Sequence, residues 1–188
     1  MRWYVASFSL ILVLLVSSCG GPGAGMAAGK GAGKKYRTFF VANNITQYFI
    51  SPIEYKLKKE KMKFLIDYTF RDSTQSISAV TANYSLISST PVKEISAVAI
   101  QAGGETIQLT NLNRLFIEKV KKEYIVRYSA RLTYPELQKI FASDAVTYQL
   151  STENGTLEIG PGKKPQKTIS FVNEEMLELL ELNRSLRQ

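Results

Sequence analysis

The amino-acid sequence predicts a mainly β chain: an antiparallel β-sandwich with a short connecting helix and a C-terminal α-helix. Three observations carry that expectation. Apolar and polar residues alternate with period two in MKFLIDYTF (62–70) and again in EYIVRYSARL (123–132), the signature of strands buried on one face. Short runs rich in Val, Ile, Tyr and Phe recur at close spacing, with turn signals at Gly103-Gly104, Lys121-Lys122 and Asn154-Gly155 that favour antiparallel hairpins. Helical periodicity is confined to two places. After a removable leader about 170 residues remain, enough for one domain with a real core and too few for two comfortable ones.

The leader is the first element. Arg2 supplies a short positive start, and residues 3–16 are apolar except for Ser7 and Ser9, closing on the small pair Ser17-Ser18. This is the layout of a signal peptide over residues 1–18. A spanning helix needs about 20 apolar residues, so an uncleaved membrane helix is the weaker alternative, beside a generic secretory peptide. Val16-Ser17-Ser18-Cys19 resembles the lipobox of bacterial lipoproteins, an apolar residue and two small ones before the cysteine. The resemblance covers residues 1–19. It implies cleavage between Ser18 and Cys19, a diacylglycerol on the Cys19 sulfur and an acylated new amine. It also implies a place in the cell envelope, and Gly20 rather than Asp after the cysteine points to the outer membrane where a cell has two. Each buried CH₂ contributes about 0.8 kcal/mol and one chain holds only marginally, so two or three chains make Cys19 a stable anchor.

Residues 19–35 form the next element. Gly20 to Lys35 reads GGPGAGMAAGKGAGKK, with seven glycines, four alanines and no acid, too little apolar surface to offset chain entropy. A flexible tether is expected, and sixteen such residues have a root-mean-square span of roughly 20 to 25 Å. Lys30, Lys34 and Lys35 are placed to meet anionic head groups, or simply to keep a linker soluble.

A single domain over 36–188 follows. In 62–70, Met62, Phe64, Ile66, Tyr68 and Phe70 share one face; in 123–132, Tyr124, Val126, Tyr128, Ala130 and Leu132 do so. Further strands are expected at 37–42, 47–50, 54–59, 77–86, 93–101, 105–109, 113–120, 146–151, 156–159 and 167–172. ISAVAI (95–100) suits a central strand covered on both faces. An immunoglobulin-like arrangement is one form of the sandwich, and a partly open barrel is the second architecture. Thr133 and Glu136 have capping-box spacing ahead of Leu137, Ile140 and Phe141, which predicts a short helix ending near Ser143 and lying as a lid on the sandwich. A terminal helix is expected over 174–187, capped by Asn173. Its apolar face of Met176, Leu177, Leu179, Leu180 and Leu182 either closes its own core or docks on a partner.

The chemistry of the chain is mostly a set of exclusions. There is no histidine and Cys19 is the only cysteine, which removes the usual general base, thiol sites and the common ligands of zinc, haem and iron–sulfur centres. Ser-x-x-Lys, G-x-S-x-G and G-x-x-x-x-G-K-S/T are all missing, and no acidic pair or calcium loop stands out. The reading is a non-enzyme that needs no cofactor, with an unrecognised carboxylate-based hydrolase as the trailing alternative.

The charge is informative. The whole chain carries a formal +8, reduced by one when the leader removes Arg2. The basic residues cluster at Lys56, Lys58, Lys59, Lys61 and Lys63, at Lys119, Lys121 and Lys122, and at Lys163, Lys164 and Lys167. In an envelope compartment nucleic acid is not the expected partner. The available anions are lipid head groups, acidic glycans and acidic proteins, and lysines that shield strand edges and hairpin tips are the alternative reading. Tyr48, Phe49, Tyr55 and Tyr68 lie near the first cluster, as core residues or as stacking surfaces. The expected function is a lipid-anchored binding or scaffold domain that holds an envelope protein, glycan or lipid. The alternative is an inhibitor or immunity-type lipoprotein that blocks a secreted enzyme.

Overall fold

Two antiparallel sheets pack face to face in the computed structural model, which describes residues 35–42, 44–57 and 61–186. β1 (Tyr36–Ala42), β2 (Ile45–Leu57), β3 (Met62–Asp72) and β4 (Val80–Ser88) run as a meander; β7 (Thr110–Val120) and β8 (Glu123–Leu132) complete a six-stranded sheet in the order β1-β2-β3-β4-β8-β7. β5 (Ile95–Ala102), β6 (Glu105–Gln108), β9 (Val146–Thr152) and β10 (Gly155–Ile159) form the second sheet, ordered β10-β9-β5-β6, with β5 interior as its composition predicts. The chain is therefore a mainly β sandwich. Four consecutive strands share one sheet, whereas the immunoglobulin arrangement splits its strands between ABED and CFG sets.

Alternation along β3 sets the core. Phe64, Ile66, Tyr68 and Phe70 are buried on the inner face, each such side chain contributing about 1.5 to 3 kcal/mol by leaving water. The second sheet covers the half of this face near Phe64, where the Tyr148 ring of β9 lies 5.1 Å from Phe64 and 5.2 Å from Tyr55. The Tyr55 hydroxyl donates to Tyr148 at 3.4 Å, and the Tyr148 and Tyr68 hydroxyls lie 3.2 Å apart. Three buried phenols thus satisfy one another, and burial pushes their pKa values above the ordinary tyrosine range. The Ile95 amide donates to the Tyr128 hydroxyl at 3.0 Å, a further hydrogen bond between the two sheets beside those of Tyr148.

Helices cover the other half. α1 (Tyr134–Ala142) buries Leu137, Ile140 and Phe141, with Phe141 edge-on to Tyr68 and Tyr134 against Phe70, the lid its sequence predicts. Both arms of the Thr133–Glu136 capping box are present. Thr133→Ala is expected to lower the unfolding free energy by about 1 kcal/mol, measured by urea denaturation.

The structure corrects the sequence reading in three places. The strands expected at 47–50 and 54–59 are one strand, β2, whose register slips between Ile50 and Ile53; Ser51-Pro52 sits in that bulge, where a missing amide is tolerated. The strand expected at 167–172 is helix. α2 (Lys163–Val172) runs through a π-helical turn, Asn173–Leu177, into α3 (Glu178–Ser185). Ile169 and Phe171 alternate with polar neighbours, which imitates a strand, but Pro165, Ile169, Val172, Met176, Leu177 and Leu180 are the buried set, and that spacing is helical. Finally, Asn173 caps no helix start: its backbone is helical and its side chain donates to Glu178 at 2.7 Å. Of the apolar face read for this helix, Met176, Leu177 and Leu180 close the core while Leu179 and Leu182 are exposed.

The turn chemistry follows the sequence. Gly103, Gly104 and Gly155 all adopt positive φ at their hairpins, where a Cβ would be strained. In the β9–β10 turn, Glu153 accepts the amides of Lys93 at 2.6 Å and Glu94 at 3.0 Å, clamping the segment that leads into β5. These bonds, Lys93 first, hold the Glu153 carboxyl below its ordinary value. A depressed carboxyl stabilises the fold above its unfolded pKa and stops doing so as pH falls through the folded one. Amide exchange at Lys93 and Glu94 is therefore expected to lose protection as the pH drops below the ordinary carboxylate range, without unfolding of the sheet.

Candidate functional site

The lysine clusters, far apart in sequence, meet in space. The register pairs Leu57–Met62, Lys63–Ile87, Ser88–Tyr124 and Val120–Glu123 all lie at one end of the six-stranded sheet, so the β2–β3 and β7–β8 hairpin tips point the same way. Lys56 and Lys63 are direct cross-strand partners, a like-charge opposition that destabilises a sheet. Among the described residues each has a single loose acidic neighbour, Glu54 at 3.7 Å for Lys56 and Glu123 at 3.9 Å for Lys63, with exposed side chains. Pairs of this kind contribute little, and the ammonium groups remain available. Glu123 also joins the first cluster to the second, because it stands beside Lys121 and Lys122 at the β7–β8 turn.

Two lysines occupy costly backbone positions. Lys61 has φ 53° and Lys121 φ 57°, in the left-handed region that costs an L-residue about 1 kcal/mol or more and suits Gly or Asn. Lys121→Gly is expected to raise stability by up to about 1 kcal/mol, read from the urea midpoint, while removing one charge from the tip.

The third cluster arrives with α2. Its N-cap, Gly162, makes no side-chain capping bond, and the first turn holds Lys163 and Lys164 with no acid, although the positive end of a helix dipole favours Asp or Glu. This turn faces the last residues of β2. β1 starts at Tyr36 opposite Ile50, so among the described residues β2 from Pro52 to Leu57 has no strand partner on that side. A cleft of about 720 Å³ lies there between residues 54–57 and 158–165, with Lys56, Lys163 and Lys164 on its walls. A second cleft, of about 630 Å³, adjoins it across Pro161, Gly162 and Lys163 and contains Lys35 and Lys167. Lys35 is anchored there: its carbonyl accepts the Ser51 amide at 2.8 Å and its ammonium lies 3.8 Å from the Phe171 ring centre.

A basic band interrupted by Glu54, Glu123, Glu158 and Glu174 results, running from Lys35 past Lys163 and Lys164 to Lys56 and Lys63 and on to Lys121 and Lys122. Of the sequence-predicted contact residues, Lys56, Lys61, Lys63, Lys121 and Lys122 take part. Lys58, Lys59, Ser18 and Cys19 lie outside the described residues. The sequence reading noted Lys163, Lys164 and Lys167 as charge but did not place them at the site; two lysines where a helix start calls for acids were the available signal.

The exposed ammonium groups of the band attract anions by charge. The buried carboxylates are engaged elsewhere: Asp67 accepts from Arg127 at 2.7 Å and Asn83 at 3.0 Å, and Asp72 accepts from Arg184 at 2.5 Å. No group of three or more His, Cys, Asp or Glu that could hold a metal ion occurs among the described residues. Among them also, no helix is long and apolar enough to cross a membrane. Comparison with protein-family models, curated proteins and solved structures finds no match.

Proposed function

We propose that this chain is a lipid-anchored lipoprotein of the cell envelope, of the outer membrane where there are two, whose non-catalytic β domain holds an anionic envelope component at its basic band. One observation carries the reading. Lysines from three parts of the chain lie along one band that begins at Lys35, the residue from which the chain leads back to Cys19. Energetics support it, since Lys56 opposes Lys63, Lys61 and Lys121 sit in left-handed turns, and Lys163 and Lys164 occupy the wrong end of a helix dipole. Fold stability alone favours none of these choices. The tight turns at Gly103-Gly104 and Lys121-Lys122 offer no protruding inhibitory loop there, which favours holding a ligand over blocking an enzyme.

The test is capture from the solubilised envelope of the protein's own cell, using the full acylated chain. An anionic lipid or glycan is expected to be retained at low salt and released at about 0.5 M, where screening shortens to a few ångströms. The Lys56→Glu/Lys163→Glu/Lys164→Glu variant is expected to retain none. The same material on both proteins, or a neutral ligand, overturns the reading.

A further inference from the structure

We infer that the end of the basic band formed by Lys56, Lys63, Lys121, Lys163 and Lys164 rests on the anionic lipid leaflet that carries the chain's own anchor, so that the domain stands in one orientation with both hairpin ends and the start of α2 toward the membrane. This rests on the lipoprotein reading above and names the component that the band holds.

The first argument is geometric. Lys35 stands level with Ile50 and Ser51 of β2, and the strand continues for seven more residues from Ile50 to its hairpin end at Leu57. Opposite them β3 advances six residues, from Tyr68 to Met62, so at about 3.3 Å per residue the hairpin ends project roughly 20 Å beyond the point where the chain enters. Sixteen residues, Gly20 to Lys35, separate Cys19 from the domain, and a Gly-rich stretch of that length spans roughly 20 to 25 Å. The two lengths match. A tether acts most strongly when its root-mean-square span equals the distance to be bridged, and here that distance sets the hairpin tips on the plane of the acyl anchor.

The second argument is the form of the charge. The band is not a closed pocket around a compact ligand: it extends across the end of the six-stranded sheet, whose strands lie about 4.8 Å apart, and so spans roughly 20 Å from β2 to β7. An extended array of exposed ammonium groups complements a surface of repeated phosphates. Each lysine that reaches an anionic leaflet strengthens association about fivefold. Val120, exposed beside Lys121 at the β7–β8 tip, adds an apolar side chain where the interface begins.

Amine acetylation footprinting of the full acylated chain tests the proposal, with protein reconstituted on vesicles of phosphatidylcholine alone or with one third phosphatidylglycerol. Labelling of Lys56, Lys63, Lys121 and Lys163 is expected to slow at least fivefold on the anionic vesicles and to recover in high salt. Lys139, on α1 near the opposite end and paired with Glu105, is expected to be unchanged. The Lys163→Glu/Lys164→Glu variant places acids where the helix dipole favours them, so its melting temperature is expected to hold or rise while protection at Lys56 falls. Equal labelling on both vesicle types, with salt-resistant flotation on neutral vesicles, overturns the orientation and leaves the anchor intact. Protection on anionic vesicles without that flotation overturns the anchored reading and keeps the band as a lipid-facing surface. Protection by dissolved polygalacturonate but not by vesicles overturns the proposal in favour of an acidic glycan.

Discussion

Cys19→Ser is expected to abolish lipid labelling, retain residues 1–18 on the chain and change how the protein holds to the membrane. On the proposed lipoprotein reading the reason is chemical: the serine hydroxyl is a far weaker nucleophile than the thiolate that would take the diacylglycerol, and the cleavage that follows acylation in that class is then lost. Without acyl chains the contribution of about 0.8 kcal/mol per buried CH₂ disappears. What remains is the uncleaved apolar stretch and the screened attraction of the lysines. Intact mass, incorporation of a palmitate analogue and fractionation at low and high salt measure the three effects separately. Unchanged mass with no lipid on the wild-type protein is the result that removes the anchor, and unchanged salt-resistant membrane association of the variant points to a permanent helix instead.

Arg127→Met is expected to be the most destabilising single change on the outer face of the sheet. Asp67 of β3 faces away from the sandwich, yet its side chain is only 2% exposed because Arg127 of β8 reaches across β4 to it. One guanidinium nitrogen meets the Asp67 carboxylate at 2.7 Å and the other meets Ser85 at 2.9 Å. Removing the cation leaves a buried carboxylate with Asn83 alone, and breaking such a pair costs about 3 to 5 kcal/mol. That is a large fraction of the roughly 5 to 15 kcal/mol that holds a domain together. The Asp67→Leu/Arg127→Met double variant removes both charges and is expected to regain most of the loss. Urea unfolding of the four proteins checks this, and a single-variant cost below about 1 kcal/mol places the pair with ordinary surface bridges.

How far the sequence can be read depends on the range of the interaction. Period-two alternation in β3 and β8, the hairpin turns and the Thr133 capping box are local, involving residues within a few positions of one another, and all were legible. Residues 163–172 were not, because TISF alternates over four positions and only the longer spacing of Pro165, Ile169, Val172 and Met176 shows the helix. Asp67 and Arg127 were legible as outward-facing residues, but not as partners, since pairing needs the register of β3, β4 and β8. The same holds for the site, where the clusters were visible as runs of lysine without any sign that the first lies beside the third.

The sequence by itself determined the β class, the turns, the absence of histidine and of any cysteine beyond Cys19, and the expectation of an acylated anchor. These depend on composition and on contacts a few residues long. Only the tertiary structure decided that β2 extends past the start of β1, that α2 begins against that open edge, and that lysines more than a hundred positions apart share one surface. Strand register and sheet packing set those relations through contacts between residues remote in the chain, and a linear pattern carries no record of which remote residues meet.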